Sequence, residues 1–441
     1  MKFADFIESL DQNSIEGSNN LLHETKNLVI DQRTTCLNQE TFKKFYDFGT
    51  ELSIFDKFAE LTEGVKANTT ENRAVTHFQY RDKSSKLYEQ SLTAISKLAE
   101  HLSSFEKIIF FGIGGSYLGP KLMNDIFTGG KQEIIFITGS DPEEYKFLVE
   151  KDHTNTAFII ASKSFSTIET LESYQSVTGG NNFKQTFAIT ANVSSAIEYG
   201  IDENQIFEFD KGVGGRFSIW SPINIVMFLK LGIQGFESFL RAGNEIDNSC
   251  KNQLASNPAL SLAIQDLLMI NLLDMQTSLI LNYDYKLRNF ASYVQQLDME
   301  SLGKTVDIEG NTIKDHQTGS IVWGGYAPRS QHSFFQHLYQ GSTPANTYII
   351  GSKSKNLNAK QMTGQIKSLK EGNFNEKDPH KLVNIRKFTS ISFDEISPET
   401  LGELIAIWEN KTIFKSMFWN INPFDQWGVE LGKINTLKEI E

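Results

Sequence analysis

The stretch IIFFGIGGSYLGPK, residues 108–121, decides the fold. A short, unbroken apolar run enters a loop with glycines at 112, 114, 115 and 119, and helix-compatible sequence follows. An unbroken run rather than an alternating one fits a strand buried on both faces. A glycine-rich turn between strand and helix exposes backbone N–H groups at a helix end that carries about half a positive charge, a cradle for an anion. The loop is not a dinucleotide fingerprint, because Tyr117 stands where G-x-G-x-x-G needs its third glycine. Nor is it a Walker A loop, because Pro120 stands at the lysine position.

Four further runs repeat the pattern downstream, at Ile134–Thr138, Ala157–Ala161, Phe187–Thr190 and Ile206–Phe209. The five starts lie 26, 23, 30 and 19 residues apart, with helix-compatible segments such as Thr167–Val177 between them. That period predicts βαβ units and a parallel sheet. A second series predicts strands at Ser278–Leu281, Ile321–Gly324, Thr347–Gly351 and Thr389–Phe393, with helices at Asn289–Leu302, Ser333–Tyr339, Ala359–Leu369 and Pro398–Trp419. Residues 222–245 read as a joining helix that starts at Pro222. Residues 1 to about 105 read as mostly helical, with apolar residues three and four apart in Lys44–Phe58 and Ser84–Ser103. Asp425–Ile440 reads as a final helix.

The chain has 441 residues, 39% of them hydrophobic and 22% charged, and a formal net charge of −12. This predicts a soluble, multi-domain globular protein and disfavours nucleic acid or a membrane surface as a partner. Cys36 and Cys250 form no C-x-x-C pair, so two thiols in a reducing cytoplasm are expected and a zinc cluster is not. MKFADFIESLDQ lacks the apolar core of a signal peptide. Leu267–Leu281 is too short and too polar to span a bilayer.

Five more motifs can carry chemistry. FIIASKSFSTIETL, residues 158–171, packs Ser162, Lys163, Ser164, Ser166 and Thr167 at a strand's C-terminal end, where open sheets bind ligands and hydroxyls suit a phosphate. Ordinary helix capping by Thr167 and Thr170 is the bland alternative. KGVGGRFSIWSP, 211–222, holds Arg216 without a nearby acid, so its guanidinium is free for an oxyanion. In YVQQLDMESLGK, 293–304, a helix places Gln296 and Glu300 on one face, Asp298 elsewhere, and the Glu300 carboxylate can serve as a base. PRSQHSFFQHLYQGS, 328–342, puts His332 near a helix start with Ser330 a candidate cap. In NPFDQWGVELGK, 422–433, Gln426 and Lys433 lie seven apart and so on one helical face, while Glu430 can simply pair with Lys433.

In their order, GIGGSYLGP, SKSFSTIET, GGRFSIWS, QQLDMESLGK, QHSFFQHLYQG and NPFDQWGVELGK resemble blocks of the phosphoglucose isomerase family, and Asn68–His77 resembles a further one. The resemblance spans roughly residues 60–435. It implies an α/β fold of two sugar-isomerase domains, each a flavodoxin-like three-layer sandwich with a mainly parallel sheet, in a cytoplasmic homodimer. The expected division is a helical segment 1–105 packing on the second domain, a first domain 106–221, a second domain 222–424 with the linking helix, and a terminal helix 425–441 carrying Lys433. The activity implied is interconversion of glucose 6-phosphate and fructose 6-phosphate, in glycolysis and gluconeogenesis, without metal or cofactor. By motif, Glu300 resembles the base, Arg216 the stabiliser of the enediolate, and His332 and Lys433 the ring-opening pair, with His332 reaching over from the partner subunit. Gly115, Ser116, Ser162, Lys163, Ser164, Phe165, Ser166 and Thr167 resemble the phosphate cradle, and Gln296 and Gln426 substrate-contacting amides. Ser164 and Ser166 stand where many members carry Thr, and Tyr339 where many carry His. Three other readings stay open: a sugar-phosphate sensor without catalysis, an enzyme that also isomerises mannose 6-phosphate, and, from the first loop alone, a dehydrogenase.

Overall fold

The computed structural model describes residues 1–10, 20–180, 183–252 and 256–440. Residues 11–19 and 441 of the expected terminal segments lie outside the described residues. Two sheets organise the chain. The first is parallel throughout and contains β3 (Lys107–Phe111), β4 (Glu133–Ile137), β5 (Thr156–Ala161), β6 (Thr186–Thr190) and β7 (Ile206–Glu208), in the order β4-β3-β5-β6-β7. Counted within the unit this is 2-1-3-4-5, the flavodoxin-like order, which places a ligand outside the carboxyl ends of the strands flanking the reversal. Those strands are β3 and β5, and the loops that follow them are the glycine loop and the serine loop. Every residue of β5 is buried, as an unbroken apolar run requires.

The second sheet runs β1-β2-β11-β10-β8-β9, from β1 (Leu22–Glu24), β2 (Val29–Asp31), β8 (Thr277–Asn282), β9 (Ile321–Tyr326), β10 (Asn346–Ser352) and β11 (Phe388–Phe393). The last four are mutually parallel, and the predicted strands fall within them. The β1–β2 hairpin is a correction to the helical reading of the first hundred residues: β2 pairs antiparallel with β11 and extends the sheet. At three residues each, these strands are too short for an alternation to register in sequence.

The joining helix also differs from expectation. Pro222–Asn224 is a 3-10 turn, and Ile225–Asn252 is broken at Gly232, whose φ of 68° and ψ of −173° are open to glycine and costly to other residues. It packs along Pro398–Phe418, whose buried surface includes Glu403, Glu409, Lys411 and Lys415. Buried charges need partners. Lys411 and Lys415 both reach Asp266 at 2.8 Å, and Lys415 reaches Asp298 at 2.9 Å. Arg81 pairs with Asp247 at 2.5 Å and Glu409 at 2.6 Å and lies over the Trp220 ring.

Candidate active site

Gly114 turns the chain from β3 into the helix Gly115–Ile126 with a φ of 57°, a conformation that favours glycine. Gly115 is required for another reason. A Cβ there would lie 2.0 Å from the carbonyl oxygen of Gly215, so only glycine lets the glycine loop touch the loop carrying Arg216. On its other side the glycine loop meets the helix Phe290–Leu302, with Gln296 Nε2 3.0 Å from the Cβ position of Gly114. Thus three of the motifs meet here, the glycine and Arg216 loops through backbone contacts that tolerate no added methyl group and the Gln296 amide through its side chain.

Arg216 sits at the centre and is almost fully buried. It donates through Nε to Ser301 Oγ at 2.6 Å, through Nη1 to Gln426 Oε1 at 3.0 Å, and through Nη2 to the carbonyls of Pro423 and, at 3.0 Å, Asp425. Its Nη1 lies 3.2 Å from Glu300 Oε1. The guanidinium read from the sequence as unpartnered is therefore saturated by residues 85 to 210 positions away, which no local pattern reveals. Glu300 Oε2 has no hydrogen-bond partner among the described residues. An acceptor left unmet in a sealed setting costs about 1–3 kcal/mol, which a ligand's hydroxyl can relieve.

The serine loop is tied by its own hydroxyls. Ser162 and Thr167 share a 3.0 Å hydrogen bond, and Ser166 donates to Ser164 at 2.8 Å. Phe165 takes a φ of 51°, unusual for a bulky residue and a form of strain found at ligand clamps. Its N–H donates to Ser162 Oγ at 3.1 Å and its ring is buried, so its side chain anchors the loop from below rather than facing a ligand. Thr167 precedes the helix Ile168–Thr178 without capping it through its side chain, leaving the hydroxyl to the loop. Burial, followed by the charge of Arg73, lowers the Lys163 ammonium to about 8.

Arg73 belongs to a layer that the sequence marked only as a resembling block. Arg73 is held by Glu71 at 2.6 Å, and Asn68 donates to Glu71 at 2.5 Å and to the carbonyl of Phe424. Thr70 and Asn422 both donate to Asp425 Oδ2, at 2.5 and 2.9 Å. Lys304 reaches Asp425 Oδ1 at 2.8 Å and the Glu300 carbonyl at 3.2 Å. These groups fix residues 422–426, and so the acceptors of Arg216. The polar runs NTTENR and NPFD were the available signal; their meeting across 356 positions was not. His77, fully buried beneath, stacks on Phe217 at 4.6 Å, and burial holds its imidazole well below its usual range and hence neutral.

Two sequence-predicted residues stand apart. His332 lies in an exposed turn between Ala327–Ser330 and Phe335–Gln340, so the helix begins after it, and Ser330 bonds back to the Tyr326 carbonyl instead of capping. Lys433 lies on the exposed helix Glu430–Ile440 and pairs with Glu430 at 2.7 Å. Gln426 is not on that helix: its φ of −151° and its bond to Arg216 hold it two turns short of Lys433, so the shared-face reading does not apply.

The phosphoglucose isomerase family model matches residues 31–440. The glucose-6-phosphate isomerase of Shewanella sediminis (strain HAW-EB3) is 32% identical over 472 residues, covering 92% of this chain and 86% of that one. That of Campylobacter jejuni subsp. doylei is 30% identical, covering 92% and 85%. The crystal structure of a glucose-6-phosphate isomerase from Chlamydia trachomatis D/UW-3/Cx shares the fold, with a TM-score of 0.87 at 24% identity over 99% of this chain and 94% of that one.

Proposed function

This chain belongs to the phosphoglucose isomerase family, and from that premise we infer that it interconverts D-glucose 6-phosphate and D-fructose 6-phosphate. The observation that carries the reading is the pairing of Glu300 with a buried Arg216 where the glycine and serine loops converge. The reaction moves one proton between C1 and C2 of the open-chain sugar. A single group on one face of the substrate must take the proton and return it. Glu300 has the free oxygen for this task. As the proton leaves, negative charge grows on the enediolate oxygens. A preorganised donor aimed at such a charge is typically worth about 3–4 kcal/mol. Arg216 is fixed in place by four hydrogen bonds, and its Nη1 turns from Glu300 or Gln426 to donate to that charge.

The phosphate is assigned to Gly115, Ser116 and the run Ser162–Thr167, with Lys163 the cation. Gln296 and Gln426 flank the sugar. Ring opening is assigned to His332 and Lys433. Neither side chain touches Glu300 or Arg216 among the described residues, which supports a homodimer in which His332 completes the neighbouring site, and a terminal helix that docks when substrate is present. A cytoplasmic location fits the two buried, unpaired thiols, both pushed up by burial.

The test is fructose 6-phosphate in deuterium oxide with a chelator present. Glucose 6-phosphate carrying deuterium at C2 is the expected product. Glu300→Gln should lose about 10²–10⁴-fold in turnover while its circular dichroism is unchanged. A fully active Glu300→Gln protein would remove the carboxylate from the mechanism.

A further inference from the structure

A cavity of about 160 Å³ lies beside the amino ends of the second sheet's parallel strands. Its walls come from segments leading into three parallel strands: Met275 before β8, Thr343–Ala345 before β10, and Ile385–Lys387 before β11. The helix bearing Glu300 packs on the opposite face of this sheet, in the apolar layer that includes Val322, whereas Leu338 and Trp323 belong to the layer on the cavity's face. Trp323 of β9 supplies an aromatic wall, and Leu338 adds to the apolar surface. A cavity of this volume accommodates a six-membered ring.

The charged groups in the lining are Arg386 and Lys387, with His337 beside them and no carboxylate among them. Arg386 spends Nε and Nη2 on the carbonyls of Leu338, Tyr339 and Gly341, which leaves Nη1 without a protein acceptor among the described residues. Lys387 is half-buried and makes no ion pair or hydrogen bond among the described residues. This sets it against the buried cations of the same chain. Arg81, Arg216, Lys411 and Lys415 each have a carboxylate within 3.2 Å. A partly desolvated ammonium with no counter-charge, in a chain of net charge −12, is an unfilled electrostatic demand.

We propose that this cavity is a second binding site, specific for a small organic carboxylate. Its apolar body rests on Trp323 and Leu338, and its carboxylate meets Lys387 and Arg386 Nη1. Apolar walls and one ring's worth of space favour a compact monoanion over a sugar phosphate. The site is independent of the isomerase chemistry and does not include its residues.

Benzoate is the probe, titrated calorimetrically with the equilibrium mixture of the two hexose phosphates at saturation, so that the substrate site is occupied. Benzoate should bind, and benzyl alcohol, with the same ring and no charge, should bind at least about tenfold more weakly. Lys387→Met should weaken benzoate by about tenfold or more and leave isomerase turnover unchanged. Ala345→Phe, which fills the space, should abolish binding. Benzoate binding no tighter than benzyl alcohol, or binding that survives both variants, overturns the proposal.

Discussion

Gly115→Ala is the substitution whose effect follows most directly from distances. The added methyl would stand 2.0 Å from the Gly215 oxygen, 2.1 Å from its carbonyl carbon and 2.8 Å from the Arg216 nitrogen, all backbone atoms that no rotamer change can clear. To bring the first contact from 2.0 Å to an ordinary 3.4 Å, the two loops must part by about 1.4 Å. Part of that shift is absorbed as strain, and overpacking of this kind typically costs about 1–3 kcal/mol of stability. The rest moves Arg216, which directly follows Gly215 and lies 3.2 Å from Glu300. A misplacement of about 1 Å in a catalytic constellation can cost about 10²-fold in rate. Turnover should therefore fall by about 10²-fold while the protein stays folded, a loss of about 2.7 kcal/mol in transition-state stabilisation. The assay couples glucose 6-phosphate formation to NADP⁺ reduction by a dehydrogenase, with thermal unfolding followed in parallel. Unchanged kinetics in a folded Gly115→Ala protein would refute the claim that the contact between these loops positions Arg216.

Lys163, lowered to about 8, should lose its charge as pH rises through that value, so KM for fructose 6-phosphate should climb above about pH 8 while kcat holds. Lys163→Met should raise KM at neutral pH and flatten that limb. Because the unfolded lysine titrates near its ordinary 10.5, the unfolded chain holds more protons between the two values, and stability to urea should rise with pH across that window. Arg81→Met strands two buried carboxylates, Asp247 and Glu409, and should cost about 3–5 kcal/mol in unfolding free energy by urea titration. A loss under about 1 kcal/mol would mean that the carboxylates find other partners or protons.

The parallel sheets were legible because strands buried on both faces leave unbroken apolar runs, and β3, β5, β8 and β10 each fall on such a run. The β1–β2 hairpin was not, since its residues gain their strand identity only by pairing with β11. The motif residues were legible as types: glycines that must turn, hydroxyls at a strand end, a carboxylate one turn from an amide. What the sequence withheld was partnership. Arg216 reads as free because its acceptors are backbone carbonyls and side chains far along the chain. Lys304 and Asp425, to which the sequence attached no role, are a pair that fixes the loop beside the base.

The bond from Asn68 to the Phe424 carbonyl joins residues 356 positions apart, and Asn422 closes the same span in return. A ribosome adding about 5–20 residues per second needs roughly 20–70 s to make that length. The first sheet is complete in sequence by Glu208, long before Gln426 exists. During synthesis the scaffold of the site is therefore present while Arg216 has none of its carbonyl acceptors. The nascent chain carries an exposed guanidinium and an unclosed polar loop until nearly its last residues emerge. Premature termination between Glu208 and the 422–426 segment would leave a chain with its first sheet intact and its reactive centre unassembled.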